Sequence, residues 1–156
     1  MPLVLTLARM EHSQYSYLNA LVAEADGAVV GALVGYDGAL LKQLRAPIFP
    51  LLEQHLGEAI NIEDETEAGE YYLDSVGVKP EFRGMGIGRR LISALCDEAF
   101  RQGHERVGLI VEPNNTKAQA LYSSAGFRCV GERPFFSHMM WHMQIERNFG
   151  SDKFAK

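Results

Sequence analysis

Short apolar runs, separated by glycine, proline or acidic residues, set the pattern of this chain. Two of these runs, 20–24 and 28–34, flank the pair Asp26-Gly27. Both central residues of a type I′ turn need a positive φ, so an Asp-Gly pair between apolar runs indicates a β-hairpin. The pattern therefore predicts an antiparallel pair of strands over residues 20–36.

Leucine and isoleucine recur at helical spacing between residues 40 and 56, but Pro47 and Pro50 interrupt the series. Proline lacks the amide hydrogen that a helix interior requires. We therefore expect two helices here, the second beginning near Pro47 and ending near Gly57. Residues 3–12 are compatible with one further helix.

Strands and helices alternate in the rest of the chain. The pattern predicts strands at 70–78, 106–111, 127–131 and 137–145, and helices at 88–102 and 115–124. The acidic run 63–67 has no apolar spacing and is expected to be a solvated loop. This order of elements indicates an α/β fold with a strand-turn-helix unit at its centre.

Length and charge exclude several classes of protein. The chain has 156 residues, and we expect a single domain over residues 1–156. No stretch reaches the roughly 18 apolar residues of a membrane span, and the apolar start lacks the flanks of a signal peptide. We therefore expect a cytoplasmic protein with no membrane partner. The formal charge of -5 and the lack of a basic stripe argue against nucleic acid as a partner.

The cysteines and histidines do not form a metal-binding pattern. Cys96 and Cys129 lack metal-ligand spacing and are expected to be reduced thiols in a core. His138 and His142 share one face of a predicted strand but lie about 13 Å apart along it, too far for one metal without other ligands. We expect no metal site.

The clearest chemical signal is the loop Arg83-Gly84-Met85-Gly86-Ile87-Gly88, between a predicted strand and a predicted helix. Glycines allow the backbone to approach a ligand, and free amides at a helix start favour an anion, so a phosphate group is expected here. Arg89 and Arg90 stand where a nucleotide-triphosphate loop needs Lys and Ser or Thr. The glycine spacing also fits the dinucleotide fingerprint poorly. The loop does satisfy a third pattern, Arg/Gln-x-x-Gly-x-Gly/Ala.

On these residues the chain resembles the GNAT superfamily of acetyl-CoA-dependent N-acetyltransferases. Residues 76–92 are similar to a strand, the pyrophosphate loop and a helix of that family, and residues 111–127 are similar to its second cofactor segment. Two motifs in this order make a specific signal. The resemblance covers residues 20–145. It implies a mixed, mostly antiparallel central sheet flanked by helices, with an N-terminal part that looks shortened, since nineteen residues precede Ala20.

The resemblance also implies how acetyl-CoA would be held. Backbone amides of the loop would bind the pyrophosphate, and the strand before the loop would pair with the pantetheine arm. A splay between that strand and the next would expose backbone groups to the thioester and stabilise an oxyanion. The implied cofactor-binding residues are Val76, Gly77, Val78, Arg83, Gly84, Met85, Gly86, Ile87, Gly88, Arg89, Asn115 and Tyr122.

Two of these residues have alternative interpretations, and the general base stays open. Tyr122 would protonate the leaving thiolate, or else it is a packed helix tyrosine. Asn115 would contact the cofactor arm, cap a helix, or do both. The base would be Glu70 or Asp74. Glu70 lies thirteen residues before Arg83, a distance similar to that of the glutamate base in histone acetyltransferases, and Asp74 lies closer to the expected thioester. Water relayed through backbone groups is the third possibility. Strand alternation puts both carboxylates on one side unless a bulge intervenes.

The resemblance thus implies an N-acetyltransferase that moves an acetyl group from acetyl-CoA to a primary amine by direct attack in a ternary complex. The alternative is a domain of the same fold that binds acyl-CoA as a sensor or interaction module without turnover. No motif identifies the acceptor, which would be a small molecule or a peptide amine; the acidic run favours a basic one. A homodimer formed through the exposed last strand is a further expectation.

Overall fold

The computed structural model describes residues 3–148, which include one six-stranded sheet and five α-helices. The strands are β1 (Ala20–Ala25), β2 (Ala28–Asp37), β3 (Tyr71–Val78), β4 (Arg106–Val111), β5 (Arg128–Phe135) and β6 (His138–Glu146). The helices are α1 (Leu3–Arg9), α2 (Leu41–Arg45), α3 (Ile48–Leu56), α4 (Ile87–Arg101) and α5 (Thr116–Ser124). Within the described range, no helix is both long and apolar enough to cross a membrane.

The sheet is mixed, with the strand order β1-β2-β3-β4-β6-β5. β3 and β4 run parallel and are connected through α4, whereas β1-β2, β2-β3, β4-β6 and β5-β6 are antiparallel pairs. The expected α/β architecture, a mixed and mostly antiparallel sheet flanked by helices, is confirmed.

Local signals in the sequence place several elements correctly. Asp26 and Gly27 have φ values of 52° and 78° and join β1 to β2, as the hairpin prediction requires. Pro47 stands immediately before α3, which ends at Gly57 with a φ of 76°. α4 buries Leu91, Ile92, Leu95, Cys96 and Ala99 against the sheet, at the spacing of one helix face.

The prediction for β5 was wrong in length and in burial. The strand continues beyond Gly131 to Phe135 and includes Pro134. It lies at the edge of the sheet, where the missing amide hydrogen of a proline does not break a ladder. Because an edge strand is partly open to solvent, Cys129 is exposed, contrary to the expected core thiol, while Cys96 is buried.

The acidic run 63–67 is a loop, as predicted, but only part of it is solvated. Glu65 and Thr66 are only 7% and 1% exposed. Glu63 accepts hydrogen bonds from two backbone amides in the turn between β5 and β6, and Glu67 pairs with Arg133. The charge run gives no periodic signal because these partners lie far away in the sequence.

β3 and β4 pair over only two positions. Tyr71 lies opposite Val107 and Tyr72 opposite Gly108, after which the strands diverge, although β3 continues to Val78. On its other side, β3 has a bulge: Val34 pairs with Ser75 and Gly35 with Leu73, so Asp74 is the extra residue. A bulge bends a strand and increases its twist. The splay that the resemblance implied is therefore present, and Asp74 lies beside it.

Gly108 is where β4 lies tightest against a buried carboxylate. A Cβ atom at this position would overlap the Oε2 atom of Glu70. We predict that Gly108→Ala lowers the free energy of unfolding by about 2 to 4 kcal/mol, because it overpacks the site and disturbs a hydrogen-bonded group. Urea unfolding measures the change.

Gly131→Ala is the matched control, because a Cβ atom there meets nothing within 4 Å. We expect that variant to stay within about 0.5 kcal/mol of the wild type. Equal stability of the two variants would contradict the packing described for Gly108.

Candidate active site

The glycine loop follows β3 after a short turn at Pro80–Phe82. Gly84 and Gly86 have φ values of 78° and 79°, where any other L residue is strained, and a Cβ atom at either would meet nothing within 4 Å. The loop backbone is therefore open to a ligand. Gly86 caps α4, whose first intrahelical bond runs from the amide of Arg90 to the carbonyl of Gly86. The amides before Arg90 form the free N-terminus of a helix, which favours an anion.

The other residues implied for the loop occupy distinct positions around it. Val76, Gly77 and Val78 form the end of β3, beyond the point where it leaves β4. The Nε atom of Arg83 donates a 3.2 Å hydrogen bond to the carbonyl oxygen of Val78, so this side chain folds back onto the strand. Met85 and Arg89 are exposed, and Ile87 packs against the core. At Gly88 a Cβ atom would touch Leu121, so this glycine lies where α4 approaches α5.

Asn115 and Tyr122 lie at the two ends of α5. The Oδ1 atom of Asn115 accepts a 3.2 Å hydrogen bond from the amide of Ala118, so Asn115 is the N-cap of the helix. Tyr122 is half-buried, packs against the core and lies 6.1 Å from Phe127 between ring centroids. Burial raises the pKa of the Tyr122 hydroxyl, which keeps it protonated at neutral pH.

Asp74 lies at the splay, on the face of the sheet opposite α4. Its Oδ2 atom accepts a 3.1 Å hydrogen bond from the Tyr36 hydroxyl. Burial and the negative charge of Glu65 raise the pKa of Asp74 to about 7, although Tyr36 and Arg45 act in the opposite direction. A carboxyl group that titrates near neutral pH is suited to exchanging protons with a substrate.

Glu65 is the centre of a buried group of polar side chains next to Asp74. Its Oε1 atom accepts hydrogen bonds from Gln14 Nε2, at 2.7 Å, and from Arg45 Nη2, at 3.2 Å. Its Oε2 atom accepts one from the Tyr72 hydroxyl, also at 3.2 Å. Tyr36 packs on Tyr72 with 5.6 Å between ring centroids. These contacts bring α2, β2, β3 and the segment after α1 together around one carboxylate.

Glu70 is placed differently from Asp74. It is 2% exposed, and its carboxylate is held by Thr66 Oγ1, His142 Nε2 and Gln144 Nε2 at 2.7 to 2.8 Å. Burial is the largest single effect and raises the pKa of Glu70, but the three hydrogen bonds and the electrostatic attraction of His142 together outweigh it, so the net pKa is lowered. The carboxylate is thus ionised and enclosed by protein donors, which argues against direct proton removal from a substrate.

His142 gains hydrogen-bond partners from the fold on both ring nitrogens. Arg133 Nε donates to its Nδ1 atom at 3.4 Å, so Nε2 carries the hydrogen that points to Glu70. His138, four residues earlier in β6, is exposed. Sequence reasoning missed the pairing of His142 with Glu70, and it also missed Gln14 and Glu65. Nothing in local spacing marks these residues, because their partners lie far along the chain.

The sequence and the fold both match known proteins. The model of the Acetyltransferase (GNAT) family matches residues 5–127, and the chain belongs to that family. The N-alpha-acetyltransferase RimI of Mycobacterium tuberculosis is 47% identical over 64 residues, which are 41% of this chain. The match spans 39% of the RimI length.

Solved structures agree in fold. A crystal structure of an acetyltransferase shares 34% identity with a TM-score of 0.77, covering 94% of this chain and 79% of its own. The acetyltransferase yncA of Salmonella typhimurium, solved with its cofactor acetyl-CoA, shares 26% identity with a TM-score of 0.55. That match covers 83% of this chain and 64% of the yncA chain.

The hydrogen bonds on Glu70 make part of the stability depend on pH. Since the pKa of Glu70 is lowered by folding, its contribution is complete above the unfolded value of 4.5 and is lost as the pH falls through the folded value. We predict that Glu70→Gln is about 2 to 4 kcal/mol less stable than the wild type at pH 7, with a smaller difference at acidic pH. Urea unfolding between pH 7 and 3 measures it.

Thr66→Val removes one of the three donors and should give an intermediate pH dependence. If the free energy of unfolding depended on pH in the same way in the wild type and in Glu70→Gln, the carboxylate would not be held as the distances indicate.

Proposed function

We propose that this protein is an N-acetyltransferase that transfers the acetyl group of acetyl-CoA to a primary amine in a ternary complex. The observation that carries the proposal is the splay of β3 from β4. One strand, β3, leads from Asp74 at the fork to the open glycine loop at its end. An anion-binding backbone and a carboxyl group that titrates near neutral pH therefore lie along a single strand.

The residues of the loop fit the pyrophosphate of acetyl-CoA. Positive φ at Gly84 and Gly86 and free space above both leave room for a phosphate next to several amides. Backbone groups of Val76, Gly77 and Val78 are not paired with β4 and would bind the pantetheine arm as an added strand. The Asn115 side chain would contribute its amide group while its oxygen caps α5. The presence of acetyl-CoA in the yncA structure supports this choice of co-substrate.

The acid and the base come from different elements. Acetyl-CoA supplies an acetyl group activated as a thioester, and a proton is needed by the departing sulfur. Tyr122 would donate that proton, since its raised pKa keeps the hydroxyl protonated. Asp74 would take a proton from the amine. We favour Asp74 over Glu70 because three protein donors already occupy the buried Glu70 carboxylate.

Binding and turnover are tested separately. We predict that acetyl-CoA raises the melting temperature of the wild type and that thiol is released with an amine from a panel of aliphatic amines, amino acids, amino sugars and short peptides. Gly86→Glu should abolish the thermal shift, because it puts a side chain and a negative charge into the phosphate site.

Gly57→Glu is the matched control, since Gly57 has nearly the same φ and equally open surroundings at the end of α3. It should keep the thermal shift. A thermal shift without thiol release from any amine would indicate an acyl-CoA-binding module instead, and an equal thermal shift in Gly86→Glu would refute the assigned cofactor site.

Tyr122→Phe tests the proton donor. We predict about a hundredfold lower kcat with little change in the affinity for acetyl-CoA, because the variant keeps the packing of the ring and loses the proton. Thiol release over a pH series measures kcat. Tyr71→Phe serves as the control, because it removes a tyrosine hydroxyl that is bonded to the carbonyl oxygen of Gly35. Wild-type turnover of Tyr122→Phe at every pH would exclude the acid role.

A further inference from the structure

A chain of hydrogen bonds connects Glu65 to Asp74 through two other side chains. Gln14 Nε2 donates to Glu65 Oε1 at 2.7 Å and to the Tyr36 hydroxyl at 2.8 Å. The Tyr36 hydroxyl donates in turn to Asp74 Oδ2 at 3.1 Å. Gln14 and Tyr36 are buried, as is Glu65, so the chain is fixed by packing as well as by its own bonds.

The direction of these bonds determines which oxygen of Asp74 can accept a proton. Because the Tyr36 hydroxyl accepts from Gln14, its own hydrogen points to Asp74 Oδ2. We therefore assign proton acceptance to the second oxygen, Oδ1. The hydrogen bond from Tyr36 thus holds one oxygen of the Asp74 carboxyl group in place beside the splay.

Charged and titratable groups face Asp74 from every neighbouring element. Tyr15 comes from the segment after α1, Tyr36 from β2, Arg45 from α2, Glu65 from the loop before β3, and Tyr72 from β3 itself. Glu65 opposes a second negative charge on Asp74, whereas Arg45 and the Tyr36 hydrogen bond favour it. With Asp74 ionised, Arg45, Glu65 and Asp74 together carry one excess negative charge.

We propose that Glu65 and Tyr36 are positioning residues that set how readily Asp74 takes a proton from the ammonium group of the acceptor. This inference rests on the proposed function. In the step, one N–H bond of the ammonium breaks, an O–H bond forms at Asp74 Oδ1, and the electron pair stays on nitrogen for attack on the thioester. The acceptor class is therefore an amine that enters as a cation, which the excess negative charge favours.

Burial is the largest cause of the raised proton affinity of Asp74, and Glu65 and Tyr36 adjust it in opposite directions. An ordinary aspartate with a pKa of about 3.9 would be roughly a thousandfold weaker as a proton acceptor than one at about 7. Glu65 supplies the repulsion, and its own charge is held by Arg45, Gln14 and Tyr72. Tyr36 limits the rise, so that Asp74 is still ionised in part at neutral pH.

The test measures the titration of Asp74 directly, by carbon NMR of protein labelled at the aspartate carboxyl carbons. Asp74→Asn identifies the resonance by its loss. We expect a lower titration midpoint in Glu65→Gln, which removes the repelling charge, and a higher one in Tyr36→Phe, which removes the donor. A shift of about one pH unit is a tenfold change in proton affinity. Tyr71→Phe, in the same strand, should leave the midpoint unchanged.

Opposite shifts of the Asp74 midpoint in Glu65→Gln and Tyr36→Phe would support the proposed roles, because simple loosening of the fold would not move the two midpoints in opposite directions. If Glu65→Gln does not fold, Tyr36→Phe decides: an unchanged or lower midpoint overturns the proposal. The acidic limb of kcat/KM, measured with the fastest amine of the panel, should follow the NMR midpoint in each variant. Acetyl transfer with one pH profile in all variants overturns this inference and leaves the proposed function standing. NMR shifts without transfer to any amine overturn the proposed function, and with it the catalytic use of Asp74.

Discussion

The separation of β3 from β4 after Tyr72 is the constraint on which the whole site depends. Two parallel strands that part give up ladder hydrogen bonds, and unpaired backbone groups inside a protein are costly unless something else satisfies them. Here the freed edge of β3 continues into the glycine loop, and the bulge at Asp74 lies beside the fork. β3 thus offers unpaired backbone groups towards its end and the Asp74 carboxyl group at its bulge. Both features depend on the same local departure from regular strand pairing.

Two buried carboxylates, those of Glu65 and Glu70, hold together the elements on the face of the sheet that carries Asp74. Each needs several donors to offset the loss of water, and removing one partner of such a group costs about 3 to 5 kcal/mol. Glu70 obtains its donors from β6 and from Thr66. Glu65 obtains its donors from α2, from β3 and from Gln14. The irregular segment before β3 is therefore anchored at two carboxylates, and this fixes the distance between Glu65 and Asp74.

The sequence predicts the parts of this molecule that depend on neighbours in the chain. The hairpin at Asp26-Gly27, the break at Pro47 and the loop from Arg83 to Gly88 each need only local rules of φ and hydrogen bonding. The partners of Glu65 and Glu70 could not be predicted in this way, because Gln14 lies 51 residues from Glu65 and His142 lies 72 residues from Glu70. The acidic run looked solvated for that reason, and Cys129 looked buried because strand pattern alone does not show that β5 is an edge.

Glu70 and Asp74 show how far position in the fold outweighs residue type. The two residues are chemically similar acids that lie four positions apart, Glu70 just before β3 and Asp74 within it. Folding nevertheless lowers the pKa of Glu70 and raises that of Asp74 to about 7. Three donors surround Glu70, while Asp74 has one donor and a second carboxylate close by. Environments that separate two carboxyl groups in this way assign them different tasks. The ionised Glu70 carboxylate holds β6 against β3 through His142 and Gln144, and Asp74 has the proton affinity that the proposed amine chemistry at the splay would require.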